Sequence, residues 1–231
     1  MIIISDFDGV IVKSIDELAF INYSIFKNNY NINISFSKYK KIFKIYKYLV
    51  GPASEYLILN LVIKKYQENQ NINFINQFNK LNKGIKVIKK KEYENIFFKE
   101  RKKIIKKDFK TWISKFKITN FCKFLIKNKK KIIIVSTKDL YSINKIIKFY
   151  KIGVINIFSS RDFDKLKTKG KIINKIIKIY KNEKDFIFID DSDHHLKTVN
   201  NKKVNVYFAN WGYQKKSNFT NFNIKMIDEN L

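Results

Sequence analysis

Five short apolar runs divide this 231-residue chain, and the segments between them limit how it can fold. The runs are Ile2–Ser5, Ile132–Val135, Val154–Phe158, Phe186–Ile189 and Val204–Phe208. Most are nearly continuous, without polar alternation, which is how strands covered on both faces read. Amphipathic helices fill the gaps. Ile118, Phe121, Cys122, Leu125 and Ile126 share one helical face, as do Leu140, Ile143, Ile147 and Tyr150. Strands alternating with helices imply an α/β fold with a doubly wound parallel sheet. INKIIKFYK (143–151) and INKIIKIYK (173–181) differ at one position, but no third copy appears at that period. They read as two successive crossover helices written in a reduced alphabet, not as a solenoid.

The first crossover is oversized. Between residue 11 and about residue 130 no convincing strand is readable, whereas helical patterns occur near 12–27, 37–49, 54–68, 71–82, 91–107 and 118–128. One helix suffices for a crossover, so this one carries an insertion, punctuated by Gly51-Pro52 and Gly84. The expected organisation is a core domain of residues 1–14 and 111–231, with an inserted α-helical cap subdomain over 15–110.

Composition narrows the function classes. With 45% hydrophobic residues the chain can bury a sizeable core, and one cysteine, Cys122, excludes an intrachain disulfide framework. The N-terminal apolar run ends at Ser5 and Asp6 with no basic residue before it, so it is not read as a signal peptide. No window resembles a membrane span. A cytoplasmic monomer without a membrane partner is expected. The formal charge of +28 suggests a polyanion partner. However, the abundant residues (Lys, Ile, Asn, Phe, Tyr) have A/T-rich codons, only Arg101 and Arg161 are arginines, and the lysines spread along the whole chain. Dispersed lysines favour counterion release over base readout, so no specific nucleic-acid partner is expected, only sequence-independent adhesion that salt removes.

In an open parallel sheet, ligands bind beyond the carboxyl ends of the strands. Here those ends carry Asp6 and Asp8, then Ser136-Thr137, then Asp190, Asp191 and Asp193, while Lys169 opens a helix after the third run. Carboxylates from two strands repel unless a cation separates them, and a hard ion such as Mg²⁺ suits oxygen ligands. Ser136 and Lys169 offer a hydrogen-bond donor and a positive charge to phosphate oxygens. An aspartate of ordinary pKa at Asp6 is an ionised nucleophile able to form an acyl-phosphate. Asp8, two residues on, can protonate a leaving oxygen and later activate water.

These segments resemble the motifs of the haloacid dehalogenase (HAD) superfamily. DFDGVIVKS (6–14) is similar to its first motif, DxDGxhxxS; IIIVST (132–137) to the second; TKGKII (168–173) to the lysine motif; and FIFIDDS (186–192) to the acidic fourth. ANWGY (209–213) looks like the tail loop of phosphoglycolate-phosphatase-like members, and the helical insert sits where C1-type caps do. The resemblance implies a HAD-type Rossmannoid core and a Mg²⁺-dependent phosphatase acting on a small phosphorylated metabolite through an aspartyl-phosphate. It implies Asp6 as nucleophile and metal ligand, and Asp8 as general acid/base with its backbone carbonyl on the metal. Ser136 and Lys169 would hold the phosphoryl group, and Asp191 would complete the metal site.

The match has departures. Lys13 stands where close relatives often have Asp, Asp190 replaces Gly in the fourth motif, and His195 stands where its final Asp would be. Asp190 or Asp193 is therefore an alternative late ligand, and Lys171 an alternative to Lys169. His194-His195 reads as a surface pair, Trp112 and Trp211 as packing residues, and Arg101 as a possible substrate anchor in the cap. A phosphomutase of the same family keeps Asp8 and is the nearest rival. A basic nucleic-acid-binding protein without activity is the rival from another class. A receiver domain is rejected, because there the acidic pair comes first and the lysine last.

Overall fold

The structure, a computed structural model, describes residues 1–30, 33–214 and 224–229. β1 (Ile2–Ser5) and the two-residue β2 (Val12–Lys13) are followed by α1 (Ile15–Tyr30), α2 (Phe36–Tyr46), α3 (Tyr56–Glu68), α4 (Phe74–Gly84), α5 (Val87–Lys107) and α6 (Phe109–Ile113). Then come β3 (Lys117–Ile118), α7 (Asn120–Lys127), β4 (Ile132–Val135), α8 (Leu140–Tyr150), β5 (Val154–Phe158), α9 (Ser160–Leu166) and α10 (Lys169–Ile179). β6 (Phe186–Asp190), α11 (Asp193–Leu196), β7 (Val204–Ala209) and β8 (Ile224–Ile227) complete the order. The chain forms two units, Met1–Lys13 with Lys117–Leu231, and Ser14–Phe116.

The first unit is built on a six-stranded sheet in the order β5-β4-β1-β6-β7-β8, parallel at every pairing. The chain steps outward from β1 through β4 to β5, then returns to the other side of β1 through β6. This reversal makes the carboxyl end of β1 the topological switch point, where open α/β sheets bind ligands. Ile4, Ile132, Ile133, Ile134 and Phe188 are fully buried, so the central strands are covered on both faces as their unbroken apolar runs require. Ile172, Ile173 and Ile176 of α10 pack on one of these faces. β5 departs from the expectation: it is a sheet edge, and its Ile155 is exposed.

Two further features were not legible in the sequence. β2 and β3 pair antiparallel, Val12 with Ile118 and Lys13 with Lys117, inside the interval read as strandless. At two residues each they are too short for a periodicity to show. β8 pairs parallel with β7. Cys122 is buried, and burial pushes its thiol up to about 12, so it behaves as a small core residue. Among the described residues no helix is long and apolar enough to cross a membrane.

The second unit is helical. Phe26, Tyr39, Phe43, Ile58, Leu59 and Phe97 lie at its centre. A buried polar chain crosses this interior. The Tyr39 hydroxyl donates to Asn60 Oδ1 (2.5 Å), Asn60 Nδ2 to the Tyr93 hydroxyl (2.6 Å), that hydroxyl to Asn22 Oδ1 (2.9 Å), and Asn22 Nδ2 to the Leu18 carbonyl (2.8 Å). Beside it, Arg101 grips Glu17 with two bonds, Nε to Oε1 at 2.7 Å and Nη2 to Oε2 at 3.1 Å, and the Trp112 indole donates to the same carboxylate at 3.0 Å. Glu17 is 0% and Arg101 2% exposed. The sequence boundary at residue 110 falls within α6, whose Trp112 takes part in this cluster.

Removing one member of a buried, bidentate pair strands the other charge in a low-dielectric interior, at a cost of about 3–5 kcal/mol. Arg101→Leu should lower the unfolding free energy obtained from a urea titration by an amount of that order. The double variant Glu17→Leu/Arg101→Leu should recover much of the loss. A double variant as unstable as Arg101→Leu alone would show that packing, not charge, sets the cost.

Candidate active site

Parallel strands carry residues of matched register side by side on the same face, with backbones about 4.8 Å apart. β1 pairs with β6 through Ser5 and Ile189, and the Asp6 amide donates to the Ile189 carbonyl at 2.9 Å. Asp6 therefore stands opposite Asp190, and the ladder forces the two carboxylates together. On the other side Ser5 pairs with Ile134, which puts Ser136 one step beyond Asp6 at the adjoining strand end. Ser136 is buried, its amide donating to the Phe158 carbonyl.

Lys169 resolves the repulsion. It opens α10, whose N-cap Thr168 accepts from the Lys171 amide, and its ammonium lies 2.8 Å from Asp6 Oδ1 and 2.7 Å from Asp190 Oδ2. Its side chain is 1% exposed, whereas Lys171 is exposed, so geometry selects Lys169 between the two. Burial opposes the charge on Lys169, but Asp190 and Asp6 outweigh it and hold the ammonium well above the ordinary lysine range. For Asp190, burial likewise opposes ionisation, and Lys169 and His195 bring the carboxyl down to about 2. Asp6 differs. Burial lifts its carboxyl above the ordinary range, with Asp190 adding to the lift and Lys169 opposing it. The expectation of an aspartate of ordinary pKa at this position does not hold, because Asp6 is buried and Asp190 stands beside it.

Asp191 follows on from β6 and completes a cluster: Asp6, Asp190 and Asp191 each present an oxygen within 4.8 Å of the others. Glycines on two loops make room for it. A Cβ at Gly9 would lie 2.4 Å from Asp191 Oδ2, and one at Gly212 would lie 2.0 Å from Asp191 Cβ. Gly9 also has φ +95°, which an L side chain rarely adopts. The Tyr213 amide donates to Asp191 Oδ2. The ANWGY loop thus supports the acidic cluster, a role its sequence did not disclose.

Three buried carboxylates facing one another, one of them hard to ionise, suit an added divalent cation with oxygen ligands. The donor set fits a hard ion such as Mg²⁺.

The remaining sequence candidates sort by geometry. Asp193 is engaged elsewhere, with Gln214 Nε2 (2.6 Å) and Lys197 Nζ (3.0 Å). Lys13 pairs with Glu229 at 3.1 Å. His194 is exposed, but His195 is half-buried, its Nδ1 3.4 Å from Asp190 Oδ2. The surface reading holds for the first histidine and not for the second. Arg101 is committed to Glu17 inside the helical unit, which removes it as a substrate anchor. Trp112 and Trp211 are packing residues, the Trp211 indole donating to the Val10 carbonyl at 3.2 Å. Asp8 is partly exposed, and both its carboxylate oxygens receive the ammonium of Lys138, at 3.1 and 3.3 Å. Sequence reasoning missed Lys138. The only available signal was a lysine two residues after the strand-end Ser136, and it was lost among the many lysines.

No protein-family model and no curated protein matches the sequence. Solved structures do match its fold. A hydrolase of the haloacid dehalogenase-like family from Streptococcus pneumoniae superposes with a TM-score of 0.66 at 14% identity, covering 98% of this chain and 92% of that one. A predicted phosphoglycolate phosphatase from Haemophilus somnus gives 0.63 at 12% identity, covering 99% and 94%. A predicted phosphatase from Clostridium acetobutylicum gives 0.59 at 16% identity, covering 97% and 92%. With its parallel sheet, its acidic cluster at the end of β1 and these likenesses over nearly the whole chain, the protein has the fold of the haloacid dehalogenase-like hydrolases.

Proposed function

We propose that this protein is a Mg²⁺-dependent phosphatase that hydrolyses a small phosphomonoester through an aspartyl-phosphate on Asp6. One observation carries the reading: at the switch point of the sheet, Asp6 lies against Lys169 and within the Asp190–Asp191 cluster. The fold neighbours described as phosphatases support it.

Asp6 attacks phosphorus with one carboxylate oxygen, and the bond from phosphorus to the ester oxygen breaks. Asp8 gives that oxygen its proton, so an alcohol leaves and not an alkoxide. Ser136 and Lys169 bind the phosphoryl oxygens as charge moves onto them. Asp8, now a carboxylate, takes a proton from water, which attacks phosphorus and releases inorganic phosphate and Asp6. A Mg²⁺ ion held by Asp6, Asp191 and Asp190, with the Asp8 carbonyl, would supply positive charge toward the phosphoryl group and keep Asp6 ionised. The helical unit Ser14–Phe116 would act as the cap that excludes water and selects the alcohol.

Phosphate release from a panel of phosphorylated metabolites should require Mg²⁺ and stop in excess chelator. Asp6→Asn should be reduced to buffer background, since an amide is no nucleophile at phosphorus. Full activity in chelator, or an active Asp6→Asn, would remove the mechanism. Conversion of one phosphate ester to another without free phosphate would indicate a mutase.

Asp8→Asn separates the two chemical steps. For an alkyl phosphate the first step should slow by about 10²–10⁴-fold, the usual contribution of a positioned acid. Nitrophenyl phosphate, whose leaving group hardly needs a proton, should lose much less in the burst, although its steady-state turnover falls for want of a base. Equal burst losses for both esters would show that Asp8 is not the acid.

A further inference from the structure

We propose that Lys138 is a positioning residue for Asp8, holding that carboxylate against the ester oxygen of the substrate. The inference rests on the phosphatase reading and extends it to a residue outside the four motifs.

Lys138 is built into the sheet edge. Its amide donates to Ser136 Oγ at 3.2 Å, and its carbonyl accepts from the Ser160 amide at 3.1 Å, so both ends of its peptide unit are tied. Its side chain is 1% exposed, unusual for a lysine, and its ammonium straddles both Asp8 oxygens. Asp8 lies past the end of β1, next to Gly9 in its left-handed turn, with 21% of its side chain exposed. An aspartate in such a loop has rotamer freedom, while proton delivery tolerates little displacement. A buried cation anchored on the neighbouring strand end removes that freedom.

The same lysine serves both protonation states of Asp8, since its ammonium can donate to an oxygen of the acid before the proton leaves and to the carboxylate afterwards. During the reaction Lys138 makes and breaks no covalent bond. The proton that reaches the ester oxygen comes from Asp8, and the electron pair of the cleaved bond stays on that oxygen.

Lys138→Met keeps the length of the side chain and removes the charge. For an alkyl phosphate its kcat should fall by about 10- to 100-fold, the penalty typical of a misplaced catalytic group, with KM little changed. The nitrophenyl phosphate burst should change much less, and Lys138→Arg should restore part of the alkyl phosphate rate. In an Asp8→Asn background, Lys138→Met should cost nothing further in the first step. A loss that persists there, or one equal for both esters or confined to KM, would mean that Lys138 acts on the phosphoryl group or the fold, and would overturn the proposal. A crystal structure of Lys138→Met gives an answer independent of activity, in which Asp8 should leave its present position. If Asp8 stays, the proposal fails whatever the kinetics. If wild type hydrolyses no phosphomonoester, the phosphatase reading fails, while the position of Asp8 still decides whether Lys138 places it. Should the Met variant not fold, Lys138→Gln carries both measurements, because it too removes the charge while keeping a polar group at the end of the side chain.

Discussion

The Lys169 ammonium, wedged between Asp6 and Asp190, sets the terms for everything around it. A parallel ladder places neighbouring residues on the same face, so the pairing of β1 with β6 makes two adjacent carboxylates unavoidable once Asp6 and Asp190 occupy those positions. Burying both without compensation would be prohibitive. α10 supplies the ammonium from its first turn and lowers the cost, yet burial, with Asp190 beside it, still leaves Asp6 reluctant to ionise.

Legibility followed the physical signal. The five strand runs were readable because each is dense in Ile, Val and Phe and bounded by helical periodicity. The terminal carboxylates stood out because polar groups at the end of an apolar run need a reason. Asp6 and Lys169 came together as their positions suggested. What could not be read was anything depending on contact across the fold. That Lys138 reaches Asp8 follows from β4 lying beside β1, and that Gly212 makes room for Asp191 follows from a loop returning from β7. The two-residue pairing of β2 with β3 carries no periodicity. Arg101 illustrates the opposite case, since it was considered as a substrate anchor in the cap, whereas its forked geometry serves a buried carboxylate.

The helical unit has its own logic. Glu17, Arg101 and Trp112 bring together the first helix and the last two of Ser14–Phe116, and the Tyr39–Asn60–Tyr93–Asn22 chain ties the centre. Both are directional, so they select one packing among many that an Ile- and Phe-rich interior would accept. A reduced alphabet makes this useful. Where most core positions are interchangeable aliphatics, a few hydrogen-bonded residues can specify the arrangement.

The position of β1 has a consequence for how the chain comes to be folded. It precedes its partners in the chain and lies in the middle of the sheet, and those partners begin only at Ile132 and Phe186. During vectorial synthesis this apolar segment waits, unpaired, while the helices of Ser14–Phe116 emerge and can form among themselves from local contacts. The acidic cluster then assembles when β6 docks, because Asp190 and Asp191 arrive with it. Assembly of the acidic cluster is thereby postponed until the chain has been made as far as Asp191.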